Sequence, residues 1–114
     1  MQIIDKRNKI TLSELQIMAD KMFGDLVKAV VDIDKEIMVV DAELHADEEK
    51  KLLEGGSKQE YLWGINLYPE ESGEDFIEFD SMINLRPSWG NRSRGVDDPQ
   101  TQIKIRNIVN NLVE

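Results

Sequence analysis

Two neighbouring segments rich in valine and isoleucine, Leu26–Ile33 and Glu36–Leu44, constrain the fold of this chain most strongly. Such residues favour strands, and only the dipeptide Asp34-Lys35 separates the two segments, which is the length of a tight hairpin turn. The cross-strand pairs that this turn predicts are Ile33 with Glu36, Val31 with Met38, Ala29 with Val40, and Val27 with Ala42. Because side chains alternate along a strand, these pairs share one almost wholly apolar face that helices must cover.

A second predicted hairpin consists of the strands Tyr61–Pro69 and Asp75–Arg86, joined by the turn-rich residues 70–74. Apolar and polar residues alternate in both segments, so each strand should have one core face and one wetter face. Trp63 lies in the apolar set and is predicted to be a core residue. If the two hairpins form one sheet, its second face is polar and is either an ordinary exposed surface or the floor of a binding cleft. The residues predicted for this face are Asp41, Glu43, His45, Asn66, Tyr68, Glu78, Asp80, Asn84 and Arg86.

Three helices are predicted, over Leu12–Phe23, Ala46–Glu54 and Pro99–Val113. The apolar residues of the first and last helices recur at three- and four-residue spacing, which is typical of a helix with one buried stripe. The middle helix is predicted from Asp47 as a possible cap, Leu52 and Leu53 as apolar anchors and Gly55-Gly56 as the terminator. The element order predicts an α+β fold, α-β-β-α-β-β-α, with the helices mostly on one face of a mainly antiparallel sheet. This sheet has four strands, or five if residues 2–5 add an edge strand.

Length and composition restrict the class of protein. A chain of 114 residues suits a single domain, and a chain without cysteine has no disulfide and no thiolate metal site. No apolar run reaches the roughly 20 residues of a membrane helix, and the first residues do not resemble a signal peptide. We therefore expect a cytoplasmic protein with no membrane partner. The net charge of −9 argues against a duplex nucleic-acid partner, since such binding depends on cationic side chains.

The most unusual stretch is the loop of residues 87–98, rich in glycine, serine, asparagine and arginine, just before the last predicted helix. Arginine offers forked donors that match carboxylate or phosphate groups, and glycine lets backbone amides approach a ligand. Residues 86–106 hold five basic and two acidic side chains in an otherwise acidic chain. The predicted anion-binding residues are Arg86, Asn91, Arg92, Ser93 and Arg94. The alternative is that these arginines pair with carboxylates elsewhere and fix a long loop.

Glu43 and His45 form the second candidate site, because they share one face if the predicted strand extends to this point. A carboxylate beside the single imidazole can orient it for acid–base chemistry, so both are candidate catalytic residues. One histidine with scattered carboxylates is a weak metal signature, and no metal site is predicted. The alternative is that His45 is an ordinary residue at the end of a strand.

Four segments together resemble a known family: Gly56–Glu60, Leu62–Pro69, Phe79–Asn84 and Asn91–Val96. They are similar to a family of small prokaryotic proteins that carries only a domain-of-unknown-function label. The likeness spans nearly the whole chain, which implies a single domain over residues 1–114. It implies no activity and assigns no functional residue.

Three functional hypotheses follow from these features. The leading one is a small ligand-binding or interaction domain, in which the loop Gly90–Gly95 binds an anionic partner such as a phosphate-bearing metabolite. The second is a hydrolase acting on an anionic substrate, with Glu43 and His45 in catalysis and the loop arginines stabilising negative charge. The third is a structural or oligomeric module, for instance a homodimer, whose arginines are only ion-paired. The sequence identifies no cofactor and leaves open whether the protein is an enzyme.

Overall fold

Five antiparallel strands form one sheet in the computed structural model, which describes residues 1–114. The strands are β1 (Gln2–Ile4), β2 (Val27–Asp32), β3 (Ile37–Val40), β4 (Leu62–Leu67) and β5 (Ile77–Glu78). Their order in the sheet is β1-β3-β2-β4-β5, so the N-terminal segment supplies the fifth strand. The helices are α1 (Leu12–Lys21), α2 (His45–Glu54) and α3 (Pro99–Leu112). This architecture confirms the predicted α+β fold and its element order.

Side-chain caps fix where two of the helices begin. The Thr11 hydroxyl accepts a hydrogen bond from the Glu14 N–H, while the Glu14 carboxylate accepts one from the Thr11 N–H, which starts α1. α3 begins at Pro99 behind Asp98, whose carboxylate accepts from the Gln100 N–H. None of the three helices combines the length and the apolar character that a membrane crossing requires.

Different helices cover the two faces of the sheet. α1 and α3 pack on the face with the main core, to which Trp63 adds a half-buried ring at the margin. The sheet residues buried in the main core are Ile4, Val27, Ala29, Val31, Met38, Val40, Ile65, Leu67 and Ile77. α2 packs on the opposite face, where a small second core consists of Val30, Val39, Leu52 and Leu62. The second core is small, so polar side chains occupy part of this face.

The first hairpin has the predicted register, with Val31 opposite Met38. Its turn is held by Asp32, whose carboxylate accepts hydrogen bonds from the N–H groups of Asp34 and Lys35 at 2.9 and 3.0 Å. A side chain at the end of β2 therefore holds the turn that sets the pairing of β2 with β3.

β3 is shorter than predicted. It ends at Val40, because Asp41 has a φ of +71°, a left-handed conformation that breaks the extended strand. The chain then bends and enters α2 at His45. The predicted strand Glu36–Leu44 is wrong beyond Val40, and the inference that Glu43 and His45 share one strand face is wrong with it.

The last strand is also shorter than predicted, since β5 covers only two residues of the predicted strand Asp75–Arg86. Beyond β5 the chain crosses over β4 at Gly64, where a Cβ atom would lie 2.5 Å from the Ser81 side chain. The fully buried Asn84 then bonds through its side-chain amide to the N–H and the carbonyl of Gly64. Side-chain hydrogen bonds thus replace the backbone ladder that a longer strand would have made.

Candidate binding pocket

A pocket of about 390 Å³ lies on the α2 side of the sheet, where the start of α2 meets β2, β4 and β5. Its polar lining residues are Lys28, His45, Asn66, Glu78, Asp80, Ser81 and Arg94. We call it the His45 pocket. It brings together the predicted His45 and one arginine of the predicted anion-binding loop.

His45, the first residue of α2, is only 8% exposed, and a hydrogen bond fixes its ring. Its Nε2 atom lies 2.8 Å from the carbonyl oxygen of Ile65. Because a carbonyl can only accept, Nε2 carries the proton and Nδ1 keeps its lone pair in the neutral ring. Burial lowers the pKa of His45 below its ordinary value of 6.5, an effect that the Ile65 carbonyl opposes and Lys28 strengthens. The ring is therefore neutral at pH 7.

Asn66, which follows Ile65 on β4, holds the Glu78 carboxylate in place. Asn66 Nδ2 and the Tyr68 hydroxyl donate to the same Glu78 oxygen at 2.8 and 3.1 Å. Burial and the contact with Glu78 raise the pKa of Tyr68 to about 12, so the phenol stays protonated and keeps donating. Asn66 Oδ1, in contrast, is buried and receives no hydrogen bond from the protein. Asn66 is only 6% exposed, and this oxygen has almost no accessible surface, so it lies against the protein and is not open to the pocket.

Positive charge reaches the pocket from Lys28 and from the start of α2. Lys28 forms no salt bridge, and its ammonium group lies 5.0 Å from the centre of the Phe23 ring. Leu44, which precedes α2 as its cap residue, makes no side-chain hydrogen bond to the helix amides. Because the first amides of a helix carry partial positive charge, this uncapped start attracts an anion.

Arg94 is held at the pocket by both its side chain and its backbone. Its Nε donates to the Asp80 carboxylate at 2.8 Å. Its carbonyl accepts from the Ser81 N–H and from the side-chain amide of Asn84, each at 2.9 Å. The ion pair with Asp80 uses Nε, which leaves the two Nη groups of the guanidinium outside it.

The other loop residues predicted to bind an anion do not line the His45 pocket. The Asn91 side chain is used inside the loop, where Nδ2 donates to the Asn84 carbonyl at 2.8 Å and Oδ1 accepts from the Asp97 N–H. The Ser93 hydroxyl and the Arg92 N–H both donate to the Asp97 carboxylate. Asn91 and Ser93 thus stabilise the loop, while Arg92 is exposed. Anion binding by these three residues stays a prediction.

Arg86 and Glu43 also lie outside the pocket. Glu43 is exposed in the bend before α2. The Arg86 guanidinium lies 4.3 and 5.3 Å from the ring centres of Trp63 and Trp89, and it donates to the Gln59 carbonyl at 2.6 Å. Arg86 therefore joins two indole rings and the segment before β4, away from His45.

Two charged residues on this face of the sheet, Lys28 and Glu48, are not among the predicted site residues. The sequence does distinguish Lys28, because it is the only basic residue of β2. Glu48 lies fully buried one helical turn after His45, and both of its carboxyl oxygens lack a hydrogen-bond partner. Burial raises its pKa to about 10, so the carboxyl is protonated at pH 7. Its sequence neighbours Asp47 and Glu49 are also acidic, so no pattern distinguishes Glu48.

A second cavity, of about 430 Å³, lies between the start of α1, the end of α3 and the segment before β5. Its lining contains no predicted site residue, and Arg106 faces three acidic residues there: Glu71, Glu74 and Glu114. This excess of carboxylates does not suit an anion. No group of three or more His, Asp or Glu side chains in the chain is arranged to hold a metal ion.

The fold and the pocket define a small α+β protein with a polar cavity between an antiparallel sheet and the start of a helix. The chain belongs to the family described as protein of unknown function DUF5674, whose model matches residues 2–112. This match confirms the resemblance seen in the sequence. No curated protein and no solved structure matches the chain.

Proposed function

We propose that this protein binds a small molecule in the His45 pocket through an anionic group such as a phosphate or a carboxylate. The observation that carries this function is the convergence of three positive elements on one cavity: Lys28, Arg94 and the uncapped start of α2. A cavity of about 390 Å³ is within the range that metabolite-sized ligands occupy.

The carboxylates that line the pocket are already engaged by the protein. Glu78 accepts from Asn66, and Asp80 is paired with Arg94. Lys28, in contrast, has no carboxylate partner. An ammonium group without a carboxylate partner, on a cavity that the start of a helix also lines, favours an incoming anion.

The ligand position proposed here differs from that predicted from the sequence. The anion lies in the pocket beside the loop Gly90–Gly95, and Arg94 is the one loop residue that contributes. Glu43 takes no part, which removes one of the two catalytic residues of the hydrolase hypothesis from the site.

Isothermal titration calorimetry with inorganic phosphate tests this function on the wild type and on Lys28→Gln and Arg94→Gln. Each replacement removes one positive charge from the pocket, so we expect each to raise the phosphate Kd about tenfold, or roughly 1.4 kcal/mol. Arg92→Gln is the matched control, since it removes the same charge from an exposed position outside the pocket. Its Kd should stay within about twofold of the wild-type value, a change of about 0.4 kcal/mol.

Two results contradict the proposed function: no saturable binding of phosphate, or binding that Arg92→Gln abolishes while Lys28→Gln and Arg94→Gln leave it intact.

A further inference from the structure

His45 has a property that anion binding alone does not use. The Ile65 carbonyl, 2.8 Å away, holds the proton on Nε2, so the lone pair of the neutral ring is on Nδ1. Burial lowers the pKa of the ring, which keeps this lone pair free at neutral pH. A fixed, unprotonated nitrogen beside Lys28 and Arg94 is a nucleophile in a cavity suited to phosphate.

Building on the proposed function, we infer that His45 accepts a phosphoryl group on Nδ1 from a small phosphoryl donor bound in the pocket. A bond forms between Nδ1 and phosphorus while the bond from phosphorus to the leaving group breaks, and its electron pair departs with that group. The leaving group is a carboxylate for an acyl phosphate and ammonia for phosphoramidate, whose nitrogen already carries three protons in its zwitterionic form. The Nε2 proton stays on the ring, where the Ile65 carbonyl continues to accept it and stabilises the positive charge of the phosphorylated imidazole.

The surroundings of His45 suit the transferred group. As the first residue of α2, His45 carries its ring beside the amides that a helix start offers to phosphoryl oxygens. Lys28 and Arg94 supply charge on the same cavity, where it stabilises negative charge on the phosphoryl oxygens during transfer. The pocket carboxylates do not compete as acceptors, because Glu78 is held by Asn66 and Asp80 by Arg94.

The test incubates the folded wild type with potassium phosphoramidate and, separately, with acetyl phosphate. Intact mass and phosphorus NMR then report the modification, and His45 is the single histidine of the chain. We expect one acid-labile phosphoryl group, attached at Nδ1. The folded protein should react at least about tenfold faster than the urea-unfolded chain, because the pocket binds and orients the donor.

Three variants separate this chemistry from unspecific modification. His45→Gln keeps an amide that can donate to the Ile65 carbonyl, and it should accept no phosphoryl group. Lys28→Gln should slow the reaction about tenfold, which corresponds to the loss of one charge contact in the transition state. Arg7→Gln, exposed and outside the pocket, should react at the wild-type rate.

The inference is overturned if the folded protein stays unmodified, reacts more slowly than the unfolded chain, or is modified at Nε2. If phosphate binds in calorimetry while His45 stays unmodified, phosphoryl transfer is refuted and the proposed binding function stands. If phosphate does not bind and His45 stays unmodified, both are refuted.

Discussion

The side-chain amide of Asn84 hydrogen-bonds to both backbone groups of Gly64: Oδ1 accepts from the N–H at 2.8 Å, and Nδ2 donates to the carbonyl at 2.9 Å. Nδ2 also donates to the carbonyl of Arg94 at 2.9 Å. One buried side chain therefore completes the edge of β4 and anchors the backbone of an arginine in the His45 pocket. This contact acts together with the Ser81 N–H and the Asp80 carboxylate to hold Arg94 in place.

Replacing Asn84 with Ala removes these bonds and leaves the N–H and the carbonyl of Gly64 buried without partners, while the Arg94 carbonyl keeps only the Ser81 N–H. Each such group costs about 1–3 kcal/mol, so we expect the free energy of unfolding in urea to fall by roughly 3 kcal/mol. Asn107→Ala, on the exposed side of α3, is the control and should change stability by less than about 0.5 kcal/mol. Equal, small effects of both replacements would show that the Asn84 contacts contribute little.

Gly64→Ala should destabilise the protein through a steric clash. The added methyl group would lie 2.5 Å from the Cβ and Oγ of Ser81, so the crossing chain must shift. We expect a loss of about 1–3 kcal/mol in thermal unfolding, as for other overpacked sites. Ser81→Gly removes the clashing atoms, so the double variant should lose less than the sum of the two single variants. A strictly additive double variant would refute the close approach as the cause.

Glu48 should make the stability of the fold decrease as pH rises. Its carboxyl is neutral in the folded protein, where burial raises the pKa to about 10, whereas it ionises near 4.5 in the unfolded chain. Unfolding between these two values releases a proton, so the free energy of unfolding falls by up to about 1.4 kcal/mol per pH unit. Glu48→Gln removes this dependence and should stabilise the protein by up to about 3 kcal/mol at pH 7.

Urea unfolding at a series of pH values above about 7.5 measures this effect, because the His45 ring is then largely neutral in both the folded and the unfolded state. Glu54→Gln, exposed at the end of the same helix, should leave the slope unchanged. Parallel stability curves for the wild type and Glu48→Gln would mean that Glu48 is ionised in the folded protein.

Arg86→Ala tests whether this arginine stabilises the fold or binds the anion. Loss of the stacking on Trp63 and Trp89 should cost about 1–2 kcal/mol of stability and make Trp89 more accessible to a fluorescence quencher. The phosphate Kd should not change, because Arg86 lies outside the His45 pocket. Arg92→Ala is the control and should change neither stability nor quenching. Weaker phosphate binding by Arg86→Ala would instead support the anion-binding role predicted from the sequence.

The sequence predicted the fold correctly where the fold depends on the pattern of residues within a short segment. The spacing between the first two strands predicted the pairing of Val31 with Met38, and apolar periodicity together with cap and stop residues located all three helices. The alternation of apolar and polar residues gave a wrong prediction after β5. The chain there does not continue as a strand, because Ser81 packs closely against Gly64. Such a contact between residues distant in sequence leaves the apolar and polar pattern of both segments unchanged, so the pattern cannot predict it.

The sequence predicted only part of the candidate site. His45 and Arg94 were each predicted as site residues, but their presence in one pocket depends on strand order and on the crossing held by Asn84. The buried oxygen of Asn66 and the protonated Glu48 depend on burial, which composition does not reveal.

The most direct test of the account is a titration of the isotope-labelled wild type with inorganic phosphate, followed through backbone and side-chain amide NMR signals. We predict saturable shifts that are largest at Leu44, His45 and Ala46, at the Asn66 side chain and at Arg94, which surround the pocket. Shifts confined to Arg92 and Ser93, or no saturable shift at all, would contradict the assignment of the anion site to the His45 pocket.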